Sequence, residues 1–347
     1  MLRVGLVGYG FAGATFHAPL IEGSGRASVA AIVTSQAGRA RADWPDARIT
    51  DSFESLLADA DVTLVVIATP NDTHFEHARR ALKAGKHVVV DKPVTLSAAE
   101  ARELGALAAA RGLLFAPFHN RRWDGDFLTV KALLDSGELG RVTYFESHFD
   151  RFRPLVRPRW REEAARGGGL LYDLGPHLID QALDLFGTPQ TVYAQVATRR
   201  DNASADDFVH LLLGYEDRDV VLHASVLANA PTPRYLIHGT RGSYTKFGLD
   251  SQEDQLRAGL RPGDTGWAIN PPGRLQTVDG VLAFDGELAT LNGDYASYYA
   301  AVADTIERGL PFPVTPDEAV DVMTVIELAR ASHEQGRRLP FERAAIR

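Results

Sequence analysis

In the first 120 residues the apolar positions fall into short, nearly continuous runs: Arg3 to Val7, Val29 to Val33, Val62 to Ala68, His87 to Val90 and Leu113 to Phe118. Runs without polar alternation read as strands covered on both faces, the pattern of a parallel sheet. Between them lie stretches with helical spacing, at Phe53 to Leu57, Phe75 to Leu82 and the Ala-rich Ala98 to Ala110. Gly85 stands where a helix should end, just before the fourth run. Strands alternating with helices predict βαβ units and a doubly wound α/β domain over residues 1–120.

Beyond residue 121 the rhythm changes. Arg141 to Phe149, Thr191 to Thr198, Phe208 to Tyr215 and Val220 to Leu227 are longer strand patterns, and Tyr235 to His238 and Gly242 to Phe247 continue the series. The later ones follow one another without crossover helices; Glu216-Asp217-Arg218-Asp219 suits a hairpin turn. This predicts an α+β domain over 121–347, built on a large open, mainly antiparallel sheet. Residues 251–290, rich in Gly, Pro and Asp, read as a long loop region; Tyr295 to Arg308 and Pro316 to Gln335 read as helices.

Composition narrows the function classes. The 347 residues are 45% hydrophobic and 24% charged, an ordinary globular balance that excludes a disordered chain. The longest strictly apolar stretch, Tyr298 to Ala303, is far short of the roughly 20 residues a membrane helix needs, so no membrane partner is expected. The apolar run after Met1 is cut by Gly8, Gly10 and Gly13, so no secretory leader is expected either. With no cysteine there are no disulfides and no thiolate metal sites, and a cytoplasmic location is the expectation. A net charge of −8 disfavours nucleic acid as a partner.

Candidate chemistry begins at Gly8-Tyr9-Gly10-Phe11-Ala12-Gly13, directly after the first strand and opening a helix. In that context GxGxxG is a dinucleotide-binding turn: Gly8 for the tight bend, Gly10 for close approach of the pyrophosphate, Gly13 for packing of helix on strand. An acid that would bind the ribose hydroxyls of NAD is missing after the second strand, where Thr34, Ser35 and Arg39 stand and Asp43 is the first carboxylate. This favours the 2′-phosphate of NADP, with NAD as the other possibility. Thr69-Pro70-Asn71, followed by His74, and Asp91-Lys92 lie at the carboxyl edge of the predicted sheet, where ligands bind in open α/β folds. His74 and His77 have no third ligand candidate beside them, so no metal is expected. Asp173 and His177 are four apart and would share a helix face, with Asp180 three further on, which places an imidazole beside a carboxylate.

Taken together and in this order, these motifs resemble the Gfo/Idh/MocA family of sugar and polyol oxidoreductases over essentially the whole chain. The resemblance implies a Rossmann domain followed by an open-sheet domain, with C-terminal helices (about 295–337) returning to the Rossmann side. It also implies Lys92, Asp173 and His177 as catalytic residues. Phe16-His17-Ala18-Pro19-Leu20, Phe118-His119-Asn120-Arg121-Arg122-Trp123, Pro158-Arg159-Trp160-Arg161-Glu162 and Gly239-Thr240-Arg241-Gly242-Ser243 look like the branch that contains NADP-dependent scyllo-inositol dehydrogenases. Asp91 departs from the family, much of which has Glu there.

From these come the expected assignments. Gly8, Gly10, Phe11, Ala12, Gly13, Thr34, Ser35, Arg39, Thr69, Pro70, Asn71, His74, Asp91 and Lys92 meet the cofactor; Asn120, Arg121, Arg153, Trp160, Asp173 and His177 meet a polyol or sugar. The segment Arg151 to Arg166, with six arginines, reads as a substrate-contacting segment or a solvated loop. A homodimer or homotetramer is expected, because an open sheet leaves a face to cover. Two rival functions stay open: redox-neutral, NAD-dependent glycoside cleavage and a non-catalytic dinucleotide sensor.

Overall fold

The computed structural model describes residues 1–343. The chain divides into two compact units. The first comprises Met1–Trp123, Ser251–Ala268 and Asp294–Val320; the second comprises Asp124–Asp250, Ile269–Gly293 and the described residues from Asp321 onward.

The first unit holds a six-stranded parallel sheet of β1 (Leu2–Val7), β2 (Ala27–Val33), β3 (Arg48–Thr50), β4 (Leu64–Ile67), β5 (His87–Val90) and β6 (Phe115–Pro117). Its order is β3-β2-β1-β4-β5-β6. The doubly wound sheet predicted from the apolar runs is present. Val4, Leu6, Leu64 to Ile67 and Val88 to Val90 are completely buried, which is why these strands lack alternation. The strand order reverses between β1 and β4, and that switch point is where a crevice opens at the carboxyl ends. Helix Ala296–Arg308 belongs to the same unit and adds Tyr298, Tyr299, Val302 and Ala303 to its core.

The second unit is built on nine strands. They are β7 (Val142–Asp150), β8 (Thr191–Ala197), β9 (Phe208–Gly214), β10 (Asp219–Ser225), β11 (Tyr235–Gly239), β12 (Gly242–Lys246), β13 (Gly273–Asp279), β14 (Leu282–Leu288) and β15 (Leu339–Pro340). Their order is β14-β13-β12-β11-β7-β10-β9-β8-β15. β7 and β10 pair in parallel and the other pairs are antiparallel, as the sequence pattern predicts. Burial alternates along β7, so one face is packed and the other half-exposed. Helix Gly175–Phe186 covers the packed face, with Phe186 5.2 Å from Phe145 and His177 6.3 Å from Phe149, ring centre to ring centre.

One expectation needs correction. Residues 251–290 are not a continuous loop: Gln252–Arg257 is helical, and β13 and β14 form a hairpin at the sheet edge. Val278, Val281, Leu282 and Phe284 are exposed there, so β14 carries no buried stripe, β13 buries only Gly273 and Leu275, and the Gly- and Asp-rich sequence hides the strands.

Candidate active site

The glycine turn has the shape a dinucleotide needs. Gly8 has φ +98°, and a Cβ on it would stand 2.5 Å from the carbonyl oxygen of Ala68; a Cβ on Gly13 would stand 2.0 Å from that of Gly8. Gly10, by contrast, faces open space, with nothing within 4 Å of where a Cβ would be. Two glycines are therefore required by backbone approach, and the middle one leaves room for a diphosphate. Phe11 is half-exposed and meets Phe16 edge-on at 5.9 Å, while Ala12 leads into a π-helical turn, Gly13–His17, and then helix Ala18–Gly23.

The end of β2 is joined to this turn through Tyr9. Its hydroxyl donates to Asp43 Oδ2 at 2.8 Å and accepts from Trp44 Nε1 at 2.8 Å. Burial and the bond to Asp43 push the Tyr9 phenol up to about 12, so it remains a donor at neutral pH. The Arg39 guanidinium lies over the Tyr9 ring at 5.5 Å, and its Nε is 3.6 Å from Asp43. The first acid after β2 is thus turned to Tyr9 and Arg39. Thr34 accepts from the Gln36 amide, and no carboxylate stands at the strand end itself.

At β4 and β5 the chain ends lie side by side. His74 is buried, with Nε2 2.9 Å from Thr69 O and Nδ1 2.7 Å from Pro93 O. Burial pushes its pKa down, so the neutral ring donates to one of the two carbonyls. His74 joins the loop after β4 to the loop after β5 instead of presenting an atom to solvent. Thr73 adds bonds to Thr69 Oγ1 and Pro70 O, which holds the turn that carries Asn71. His77 turns the other way, to Thr73 O, so the two histidines form no ligand pair.

Asp91 is buried and accepts from the Lys92 amide at 2.8 Å. Burial alone would raise its pKa, but His17, Lys92 and His74 together bring it down to about 2. The support comes from a residue whose role sequence reading missed. His17 Nδ1 lies 2.6 Å from the Tyr299 hydroxyl, and burial holds Tyr299 protonated. With that O–H donating to Nδ1, the ring proton sits on Nε2, 3.7 Å from Asp91 Oδ2. Only the sequence stretch Phe16–Leu20 hinted that His17 mattered.

The sequence has five lysines. Lys86 donates to the carbonyls of Asp59 and Val62, Lys246 to that of Phe247, and Lys131 pairs with Asp184 at 2.8 Å. Lys92 stands just past the carboxyl end of β5.

In the second unit, Gly169 has φ +103° and its missing Cβ would strike Asp206. Asp206 binds the first amides of the helical turn Leu170–Asp173, through its carbonyl to Leu170 and its carboxylate to Leu171. Asp173 and His177 do not share one helix: the turn ends at Asp173, and helix Gly175–Phe186 begins after Leu174. Pro176 at the helix start accounts for the break. Asp173 lies 3.5 Å from Arg161 Nε, and the Trp160 ring stacks under that same guanidinium at 4.6 Å. Burial and the charges of Arg151, Arg159 and Arg157 push Arg153 below its ordinary value, against the pull of Asp173. Arg200, which sequence reading passed over, ties this arginine-rich segment down by bonds to Glu162, Asp207 and the carbonyls of Arg153 and Leu155.

Two further expected substrate residues belong to the first unit. Asn120 and Arg121 are buried within the first unit, and Arg121 pairs with Glu253 at 2.6 Å. A guanidinium held this way braces the fold around Gln252–Arg257, an element absent from the sequence prediction.

Residues 2–119 match the family model described as the NAD-binding Rossmann fold of the Gfo/Idh/MocA oxidoreductases, and residues 131–341 match its C-terminal alpha/beta domain. The chain belongs to the Gfo/Idh/MocA oxidoreductase family. It is 49% identical to an uncharacterized oxidoreductase, YdgJ, of Escherichia coli, covering 94% of this chain and 95% of that protein. It is 39% identical to the scyllo-inositol 2-dehydrogenase (NADP(+)) IolW of Bacillus subtilis, over 98% and 96% of the two chains. The solved oxidoreductase YvaA of Bacillus subtilis superposes with a TM-score of 0.95 at 39% identity, with 98% of each chain covered. As a member of this family the protein is an oxidoreductase with an NAD(P)-binding domain.

Proposed function

We propose that this Gfo/Idh/MocA enzyme is an NADP-dependent dehydrogenase that oxidises a secondary hydroxyl of a cyclic polyol or sugar to the ketone. The observation that carries the reading is Lys92, an ammonium at the carboxyl end of β5 beside the buried, ionised Asp91. NADP is supported by Arg39 over Tyr9, by Asp43 being engaged by the Tyr9 hydroxyl, and by the cofactor named for IolW. A polyol substrate rests on the same relative.

The turn Gly8–Gly13 would hold the cofactor diphosphate, Thr34, Ser35 and Arg39 its 2′-phosphate, and Thr69 to Asn71 the adjoining ribose. When bound, NADP supplies the acceptor for the hydride that leaves the carbinol carbon. The remaining chemistry belongs to side chains. Lys92 stabilises negative charge on the substrate oxygen as its proton departs. His177 takes that proton; its Nδ1 is sealed from solvent, which leaves Nε2 for the transfer. Asp173, held by Arg161, orients the substrate together with Arg153 and Trp160.

A panel of inositols and aldoses, each assayed with NADP and with NAD by the absorbance of reduced nicotinamide, tests the reading. At least one cyclic polyol should be oxidised, with kcat/KM for NADP ten times that for NAD or more, about 1.4 kcal/mol. No turnover across the panel, or a tenfold preference for NAD, would overturn it. The enzyme is further proposed to be a homodimer or homotetramer assembled through the half-exposed face of the nine-stranded sheet; a monomer in sedimentation at micromolar concentration would refute this.

A further inference from the structure

On the half-exposed face of the nine-stranded sheet, strand register aligns three histidines. His223 of β10 is directly opposite His210 of β9 and His148 of β7. Asp150, two residues along β7, projects from the same face. We propose that His148, Asp150 and His223 form a site for a divalent first-row transition metal of the zinc class.

The first support is spacing. One ligand atom from each of the three residues lies within 4.8 Å of the other two. His148 Nδ1 is 2.9 Å from Asp150 Oδ2, and His223 Nε2 is 3.6 Å from Asp150 Oδ1. Two donors each about 2.0–2.1 Å from zinc stand about 2.9 Å apart at a right angle and about 3.4 Å apart at the tetrahedral angle. The 3.6 Å separation is too long for a hydrogen bond and close to the tetrahedral value.

The second support is an orphaned oxygen. The Asp150 side chain is only 5% exposed, and its Oδ1 is buried with no hydrogen-bond partner. A buried carboxylate oxygen facing an imidazole nitrogen, without a donor, is an energetic cost that a cation between them would remove.

The third support is the surrounding shell. Metal-binding imidazoles usually give their other N–H to an acceptor that fixes the ring. Glu146 Oε1 accepts from His148 Nε2 at 2.7 Å, and Glu146 in turn accepts from the Tyr144 hydroxyl at 2.9 Å. His223 Nδ1 lies 3.2 Å from His210 Nδ1, which can accept its proton and leave Nε2 bare. The Thr232 hydroxyl donates to Asp150 Oδ2 at 2.8 Å. Every proposed ligand thus has an outer partner. Two imidazoles and one carboxylate suit zinc chemistry and leave a position for water. On binding, the metal replaces the Nδ1 proton of His148, which goes to solvent.

The test uses the full-length, tag-free protein, stripped with chelator and equilibrated with zinc. Bound metal is measured by mass spectrometry and affinity by calorimetry. About one zinc per chain should remain after unbound metal is removed, a count that assembly through this face does not alter. His223→Ala should abolish stoichiometric binding, and Glu146→Gln, which keeps all three ligands, should weaken it about 10- to 100-fold. Thermal melts of the zinc-free proteins check folding. If His223→Ala fails to fold, Glu146→Gln decides alone, since general surface binding would not respond to it. Absence of stoichiometric zinc in the wild type, or zinc affinity unchanged by the decisive variant, overturns the proposal.

Discussion

At the carboxyl ends of β1, β4 and β5 the first unit places three contiguous segments on adjacent strands: Gly8–Gly13, Thr69–Asn71 and Asp91–Lys92. The nine-stranded sheet of the second unit works otherwise, gathering His148, His210 and His223 from three strands by cross-strand pairing. In a parallel sheet the chain reaches the ligand edge once per strand, so each contribution is a short local motif. On an antiparallel face, neighbours in space are set by register, and residues far apart in sequence meet without any local sign. The second unit also has a local segment with candidate chemistry, Asp173 to His177, but there the polypeptide breaks at Leu174 and relies on Asp206 and Arg200 from elsewhere.

The largest effect expected from breaking this division of labour is at His177. His177→Ala should lower kcat by about 10²–10⁴-fold and remove the acid limb of the kcat/KM profile for oxidation, because a protonated imidazole cannot accept the hydroxyl proton. Steady-state rates across pH check both parts; a retained acid limb would assign the proton transfer to another group. Lys92→Ala should cost about 10²–10³-fold in kcat while the dissociation constant for NADP changes little, since the ammonium acts chiefly as oxygen charge develops. Fluorescence titration of the cofactor beside turnover separates the two quantities.

A smaller effect sharpens the first-unit side. Asp91 has a folded pKa of about 2 against roughly 3.9 in an unfolded chain. Its ionised form therefore contributes stability that is present above about pH 4 and is lost as pH falls toward 2, about 2–3 kcal/mol in all. Urea midpoints of the wild type should fall over that window more steeply than those of Asp91→Asn, and equal slopes would show that His17 and Lys92 do not hold the carboxylate. The smallest effect is at Arg39: Arg39→Ala should reduce the ratio of kcat/KM for NADP over NAD by about tenfold, near 1.4 kcal/mol. An unchanged ratio would place the 2′-phosphate contact elsewhere.

Legibility in the sequence followed the same divide. β4 and β5 were predictable because both their faces are buried, and β1 and β2 because their runs of apolar residues and glycine carry little polar alternation. The glycine turn was readable because two of its glycines answer to backbone contacts that any side chain would violate. Strands β13 and β14 were hidden because β14 has no buried position and β13 has only two, Gly273 and Leu275. The ion pair of Arg121 could not be read from its polar motif, because its partner Glu253 is 132 positions away. His17 and Tyr299, which support Asp91, are 282 positions apart and meet only through packing of the helix Ala296–Arg308. Periodicity reports which side of an element is buried; it does not report which polar groups tertiary packing brings together.

The central claim is that hydride passes from a polyol carbon to the nicotinamide, and isotope transfer tests it most directly. A cyclic polyol deuterated at its carbinol carbons is turned over with NADP, and the recovered reduced cofactor is weighed by mass spectrometry. The account predicts reduced cofactor heavier by one deuterium, formed in step with the ketone. Reduced cofactor free of deuterium, or conversion of a sugar with no net reduced cofactor, would contradict it.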